Sequence, residues 1–101
     1  MAFPDKLSTD EVNKQLVTLN PDWNLVSGRL RREFSFANFI EAFSFMSAVA
    51  LHAEAASHHP NWSNVYNRVE IDLFTHEADG ITRFDFELAA KIDVAAANAT
   101  A

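Results

Sequence analysis

Apolar residues recur along this chain at two different periods, and each change of period marks an element. In LSTDEVNKQLVTLNP, Val12, Leu16 and Leu19 recur at helical spacing. Ser8 and Glu11 stand ahead of them at capping-box spacing, and Pro21 closes the segment, so it reads as a first helix. In WNLVSGRLRREFSF the period drops to two. Trp23 and Leu25 alternate with polar neighbours, Ser27-Gly28 supplies a turn, and Leu30, Phe34 and Phe36 share one face of the return strand. Arg32 shares that face. Its expected place is a sheet margin, with the stem covered and the charged head wetted.

NFIEAFSFMSAVALHAEAAS returns to the helical period. Asn38 and Glu41 offer a second capping box. Phe39, Phe43, Met46, Val49, Ala50 and Ala53 mark one face, widened by Ile40 and Phe45, which predicts a long, well-covered helix ending just before SHHPNW. NVYNRVEIDLFTHEADG reads as one strand. Val65, Val69, Ile71 and Leu73 share one parity, and Tyr66, Arg68, Glu70, Asp72 and Phe74 share the other. Asp79-Gly80 supplies a turn, Thr82 N-caps a last helix with Leu88 and Ile92 facing in, and the tail ANATA is expected to fray. The order is therefore helix, two strands, helix, strand with room for a second short one, helix. One apolar and one polar strand face predict an α+β fold, an antiparallel sheet covered by helices on one side. Tyr66 and Phe74 on the polar face, together with a sheet edge, are candidate oligomer contacts.

Composition narrows the function more than the fold. With 101 residues, 49% hydrophobic and 22% charged, the chain suits one domain, 1–101. A net charge of −6 argues against direct nucleic-acid binding, since Arg29, Arg31 and Arg32 form only a small cluster with Glu33 beside it. The absence of cysteine removes thiolate nucleophiles and Cys-based zinc sites. No apolar run is expected to reach membrane-spanning length, and MAFPDKLSTDEV lacks the apolar core of a secretory signal, so a cytoplasmic protein is expected.

The unusual stretch is ASHHPNW. His58 and His59 are adjacent, Trp62 follows Pro60 by two residues, and His76 stands just past the predicted strand. Histidine exchanges protons near neutral pH more readily than any other side chain. Pro60 biases His59 toward extended backbone, so two histidines serving one pocket require the chain to turn between helix and strand. Adjacent histidines are awkward ligands for one ion, so a metal centre is not expected. HAE at His52 to Glu54 lacks the later Cys pair of zinc deaminases. There is no G-x-S-x-G elbow and no Gly-rich phosphate loop. What remains is histidine acid/base chemistry in an aromatic-walled pocket. Trp62 either stacks on a flat ring or fills the core. Glu54, one turn before His58, either orients a histidine or is a solvated helix residue. Asp85 falls at the N3 position of a capping box opened by Thr82, where the capping reading is the stronger and a functional role can coexist.

HHPNWSNVYNRVEIDLFTHEADGIT resembles the signature of the pterin-4a-carbinolamine dehydratase family, H-H-P-x-W-x-x-V-Y-x-x-V-x-I-x-L-x-T-H-x-x-x-G-[ILV]-[ST], with every fixed position met. FANFIEAFSFMSAVALHAEA looks like the family's long helix, and DWNLVSGRLRREFSF extends the likeness over nearly the whole chain. The resemblance implies a four-stranded antiparallel sheet with three helices on one face, in homodimers or homotetramers whose sheets can join. It implies loss of water from a 4a-hydroxy-tetrahydropterin to give a quinonoid dihydropterin, in recycling the cofactor of aromatic amino acid hydroxylases, with no metal or cofactor. His58, His59 and His76 are then the catalytic set. His58 and His76 fit proton transfer, and His59 fits holding the pterin ring. Glu54, Trp62 and Asp85 would line the substrate site. Ser57 and Asn61 depart from acids found at those positions in some or many members. The alternative is a non-catalytic binding module, since some animal members serve as dimerisation cofactors of a homeodomain transcription factor. The intact histidine set favours the enzyme.

Overall fold

The computed structural model describes residues 4–99. Helix α1 (Thr9–Leu16) is followed by strands β1 (Asn24–Val26) and β2 (Arg29–Ser35), helix α2 (Phe39–Ala56), strands β3 (Asn61–Val65) and β4 (Arg68–Leu73), a 3-10 turn (His76–Ala78) and helix α3 (Arg83–Ala99). The strands form one antiparallel sheet in the order β1-β2-β4-β3. This is the α+β architecture that the patterning predicts.

Register explains the two faces. Leu30 lies opposite Leu73, Arg32 opposite Ile71 and Phe34 opposite Val69, so these side chains share the helix-covered face. The core is built there, from Leu30, Phe34, Phe36, Val69, Ile71 and Leu73 against Val12, Phe45, Val49, Leu88 and Ile92. The other face is a charged ladder. Arg31 reaches Glu70 at 2.9 Å and Asp72 at 3.1 Å, and Arg68 reaches Glu33 at 2.9 Å. A hydrogen bond shared with Glu70, and then one from Arg68, hold the Glu33 carboxyl below its ordinary value. The capping box on α1 is complete: Ser8 Oγ accepts from Glu11 N, and Glu11 Oε1 accepts from Ser8 N at 2.9 Å. That backbone N–H, then the Ser8 hydroxyl, lower the Glu11 carboxyl. On α2, Asn38 caps Glu41 N, while the Glu41 carboxylate reaches back to Ala37 N rather than to Asn38 N.

Several local expectations are corrected. The single predicted strand through NVYNRVEIDL is a hairpin, with Val65 paired to Arg68 and Tyr66-Asn67 as its two-residue loop. Tyr66 takes a positive φ of 50°, and the Asn64 side-chain amide donates to the carbonyls of Tyr66 and Arg68. Alternation runs unbroken through such a loop, so parity alone hides it. Val65 therefore lies on the outer face, not with Val69, and Tyr66 sits in the loop rather than on the polar sheet face. Helix α2 is rotated from its expected setting. Ala42, Phe45, Val49 and Ala53 are buried, while Phe39, Ile40, Phe43, Ala50 and Leu51 are exposed. An almost wholly apolar helix does not select its own inward face. The rings of Phe34 and Phe36, 4.7 Å and 4.9 Å from Phe45, select it here.

The Arg32 head is covered instead of wetted. Its side chain is 13% exposed, bonded to Asp93 on α3 at 2.7 Å and stacked over Phe34. Asp93 also accepts from Trp23 Nε1 at 2.8 Å. The expected fraying tail is helical as far as Ala99, and residues 100 and 101 lie outside the described residues. Finally, α2 is long and apolar enough by length and composition to cross a membrane, with a mean hydropathy of 1.2 over 18 residues, against the expectation of no such run. One side of it nonetheless packs into the core described above.

Candidate functional site

The site is made where α2 hands over to β3 and β4 hands over to α3. Helix α2 stops because Ser57 adopts left-handed backbone, φ 51°, and its N–H returns to the carbonyls of Ala53 and Glu54. His58 N then donates to Ala53 O at 3.1 Å. This reversal separates the adjacent histidines. His58 turns into the protein and His59 turns out. Across the sheet, Asn61 pairs with Asp72. That register carries the segment before Pro60 alongside Phe74, Thr75 and His76.

Beyond β4 the chain closes a tight loop. Thr75 and Gly80 exchange backbone hydrogen bonds at 3.0 Å and 3.3 Å, with the 3-10 turn between them. His76 is exposed on this turn, its ring edge-on to Phe74 with centroids 5.1 Å apart. Thr82 and Asp85 then start α3 as expected: Asp85 Oδ2 accepts from Thr82 N at 2.9 Å.

The same carboxylate holds a histidine. Asp85 Oδ1 lies 2.5 Å from His58 Nε2, and Asp85 Oδ2 also accepts from Thr75 Oγ1 at 2.8 Å. Thr75 Oγ1 lies 2.9 Å from Thr82 Oγ1. The His58 side chain is 8% exposed and Asp85 is 0% exposed. An ionised carboxylate only accepts, so in this contact Nε2 carries the hydrogen toward Asp85 and Nδ1 is the ring nitrogen left over. The second pair is different. His59 Nε2 lies 3.0 Å from Glu54 Oε1, with side chains 63% and 82% exposed.

Of the residues singled out from the sequence, the structure joins His58 to Asp85 directly, while His76 follows in the chain the Thr75 that donates to Asp85, with its own ring against Phe74. Glu54 meets His59, not His58. Trp62 lies opposite Ile71 on the helix-covered side of edge strand β3, partly buried against the core. Two residues escaped sequence reasoning. Thr75 carries a signal, a Thr directly before His76 at a strand end. Phe84, whose ring centroid is 6.0 Å from that of His58, carries none beyond being apolar after a cap. Two crevices flank this end of the molecule. One of about 250 Å³ is lined by Ala56, Phe84, Glu87, Leu88 and Lys91. Another of about 240 Å³ includes Phe74, Gly80, Ile81 and Leu7. Phe84 links the first to His58, and Phe74 links the second to His76. Among the described residues, no three His, Asp or Glu side chains are grouped to hold a metal ion.

Comparison with known proteins agrees on one family. Residues 5–95 match the family described as pterin 4 alpha carbinolamine dehydratase. A provisionally named pterin-4-alpha-carbinolamine dehydratase of Solibacter usitatus is 55% identical over 92 residues, 91% of this chain and 96% of that protein. A similarly named protein of Burkholderia orbicola is 52% identical over 96 residues, 93% of each chain. Among solved structures, the transcriptional coactivator/pterin dehydratase from Brucella melitensis superposes with a TM-score of 0.87 at 41% identity, covering 91% of this chain and 99% of that one.

Proposed function

The chain belongs to the pterin 4 alpha carbinolamine dehydratase family, and we propose that it is a hydro-lyase converting a 4a-hydroxy-tetrahydropterin into quinonoid dihydropterin and water. The observation that carries the mechanism is the buried His58–Asp85 pair, with exposed His76 one residue after the Thr75 that bonds the same carboxylate. Dehydration needs a proton on the departing 4a-oxygen as the C4a–O bond breaks. It also needs removal of the N5 hydrogen as the C4a–N5 double bond forms. One positioned histidine per proton supplies both. With Nε2 committed to Asp85, His58 offers Nδ1 to the substrate, and His76 handles the other proton from the exposed side. His59, paired with Glu54 in solvent, holds the pterin ring. Trp62 contributes an aromatic wall. Asp85 has no exposed surface, so we assign it a positioning role through His58 rather than direct substrate contact.

In this reading the protein recycles the tetrahydropterin cofactor of aromatic amino acid hydroxylases as a homodimer or homotetramer. The open edge of β3 and the exposed Phe39, Ile40, Phe43 and Leu51 on α2 support self-association. The same apolar helix face favours a second reading, a binding module for a protein partner, in keeping with the naming of the Brucella protein as a transcriptional coactivator/pterin dehydratase. The test is dehydration of freshly generated 4a-hydroxy-tetrahydropterin, followed by absorbance and corrected for spontaneous loss of water. Wild type is expected to accelerate it, and His58→Ala to lose roughly 10²- to 10⁴-fold of that acceleration. Folded protein with no acceleration would sink the enzyme reading and turn attention to partner capture.

A further inference from the structure

Thr75 is fully buried and bonded on both sides, yet the chemistry above does not use it. A threonine hydroxyl has one hydrogen to give. Thr75 gives its hydrogen to Asp85 Oδ2, so in the 2.9 Å contact between the threonines Thr82 is the donor. Thr82 Oγ1 in turn accepts from Phe84 N. The bonds therefore converge on Asp85, from the first turn of α3 through Thr82 and Thr75 on one side and from His58 Nε2–H on the other. Thr75, Thr82 and Asp85 are each 0% exposed, so water does not replace a missing member.

We infer that Thr75 is a positioning residue for His58. It fixes the Asp85 carboxylate in the plane and rotamer that keep the His58 proton on Nε2 and free Nδ1 for the substrate. A carboxylate held only by its own helix cap is free to pivot about its side-chain bonds. A second donor on Oδ2, from the opposite element, removes that freedom. The position of Thr75 decides why it serves. It is the residue directly before His76, so the backbone that places one histidine also supplies the hydroxyl that orients the other.

The activity arm of the test rests on the dehydratase reading, and the spectroscopic arm does not. The variants are Thr75→Val, which keeps shape and removes the hydroxyl, and Thr75→Ser, which restores it. Imidazole ¹⁵N NMR at a pH where His58 is neutral reports which nitrogen carries the proton. Wild type is expected to hold His58 as the Nε2–H tautomer. Thr75→Val is expected to shift population toward Nδ1–H and to lower kcat roughly 10- to 100-fold, the equivalent of one charge-assisted hydrogen bond, with KM little changed. Thr75→Ser is expected to recover both. Three results overturn the inference: a wild-type His58 protonated on Nδ1, a folded Thr75→Val unchanged in tautomer and rate, or Thr75→Ser as impaired as Thr75→Val. The wild-type tautomer needs no variant to fold. If wild type fails to accelerate dehydration, the functional reading falls, and the tautomer measurements still decide the role of Thr75.

Discussion

His58 and His59 are neighbours in sequence, and each faces a carboxylate within 3.0 Å, but they sit in different media. His58 and Asp85 are sealed behind Phe84 and the Thr75–Thr82 pair, whereas His59 and Glu54 stand in water. In the buried pair the partner charge is less screened, and the geometry is held by the residues packed and bonded around Asp85. In the open pair solvent screens the charge, so the contact constrains neither side chain strongly. A carboxylate beside a histidine thus means a fixed ring in one place and a mobile surface contact one residue later. The device that separates them is a single left-handed residue, Ser57.

The comparison can be broken or sharpened at four points, taken from the largest effect down. Asp85→Ala strips acceptors from His58, Thr75 and the Thr82 N–H in a dry site, and is expected to cost about 3–5 kcal/mol in chemical denaturation. A loss below 1 kcal/mol would mean that the sealed pair is no more than a surface contact. Next, Ser57→Gly removes the side-chain penalty of the left-handed reversal and should stabilise the protein by up to about 1 kcal/mol, leaving both histidines where they are. Destabilisation on that change would show that Ser57 contributes something other than backbone shape. Glu54→Gln should change stability by less than about 1 kcal/mol, with any difference fading as salt is added. A salt-independent loss would put His59 in the same class as His58.

The smallest effect is an exposed capping box seen through pH. The folded-state carboxyl of Glu11 is lowered by the Ser8 backbone N–H and hydroxyl. A lowered folded pKa gives stability above the ordinary carboxylate pKa, which is lost as pH falls through the folded value. The protection of the Ser8 amide, its exchange rate taken relative to the intrinsic rate at each pH, is therefore expected to fall as the solution is acidified through the lowered Glu11 pKa, and Glu11→Gln should flatten that response. An unchanged acid response in Glu11→Gln would remove the cap as its cause.

Much of the fold was legible because local rules and tertiary structure agreed. Ser8 with Glu11, Asn38, Ser27-Gly28 and Thr82 with Asp85 all sit where their side chains or backbone demand an end or a turn. The second hairpin was not legible, because Tyr66-Asn67 interrupts neither hydrophobicity nor parity. Nor was the setting of α2, where apolar residues surround the axis and only the facing aromatic rings distinguish one side. The site was legible as residue types and not as partners. HHP, a later TH and a capping Asp could be read along the chain, but nothing in the chain says that the capping Asp is also the His58 partner.

The sequence by itself determined the helices, the first hairpin, the two-faced sheet, the family likeness and the set of histidines, because these depend on spacing within a few residues or on one continuous pattern. Tertiary structure alone decided which histidine is buried, which carboxylate serves which histidine, and that Thr75 closes the network. Those outcomes depend on Asp85 meeting His58 across 27 residues and Thr75 across 10. Contacts of that range are set by the register of β3 on β4 and by how α3 returns over the sheet, and no local propensity encodes them.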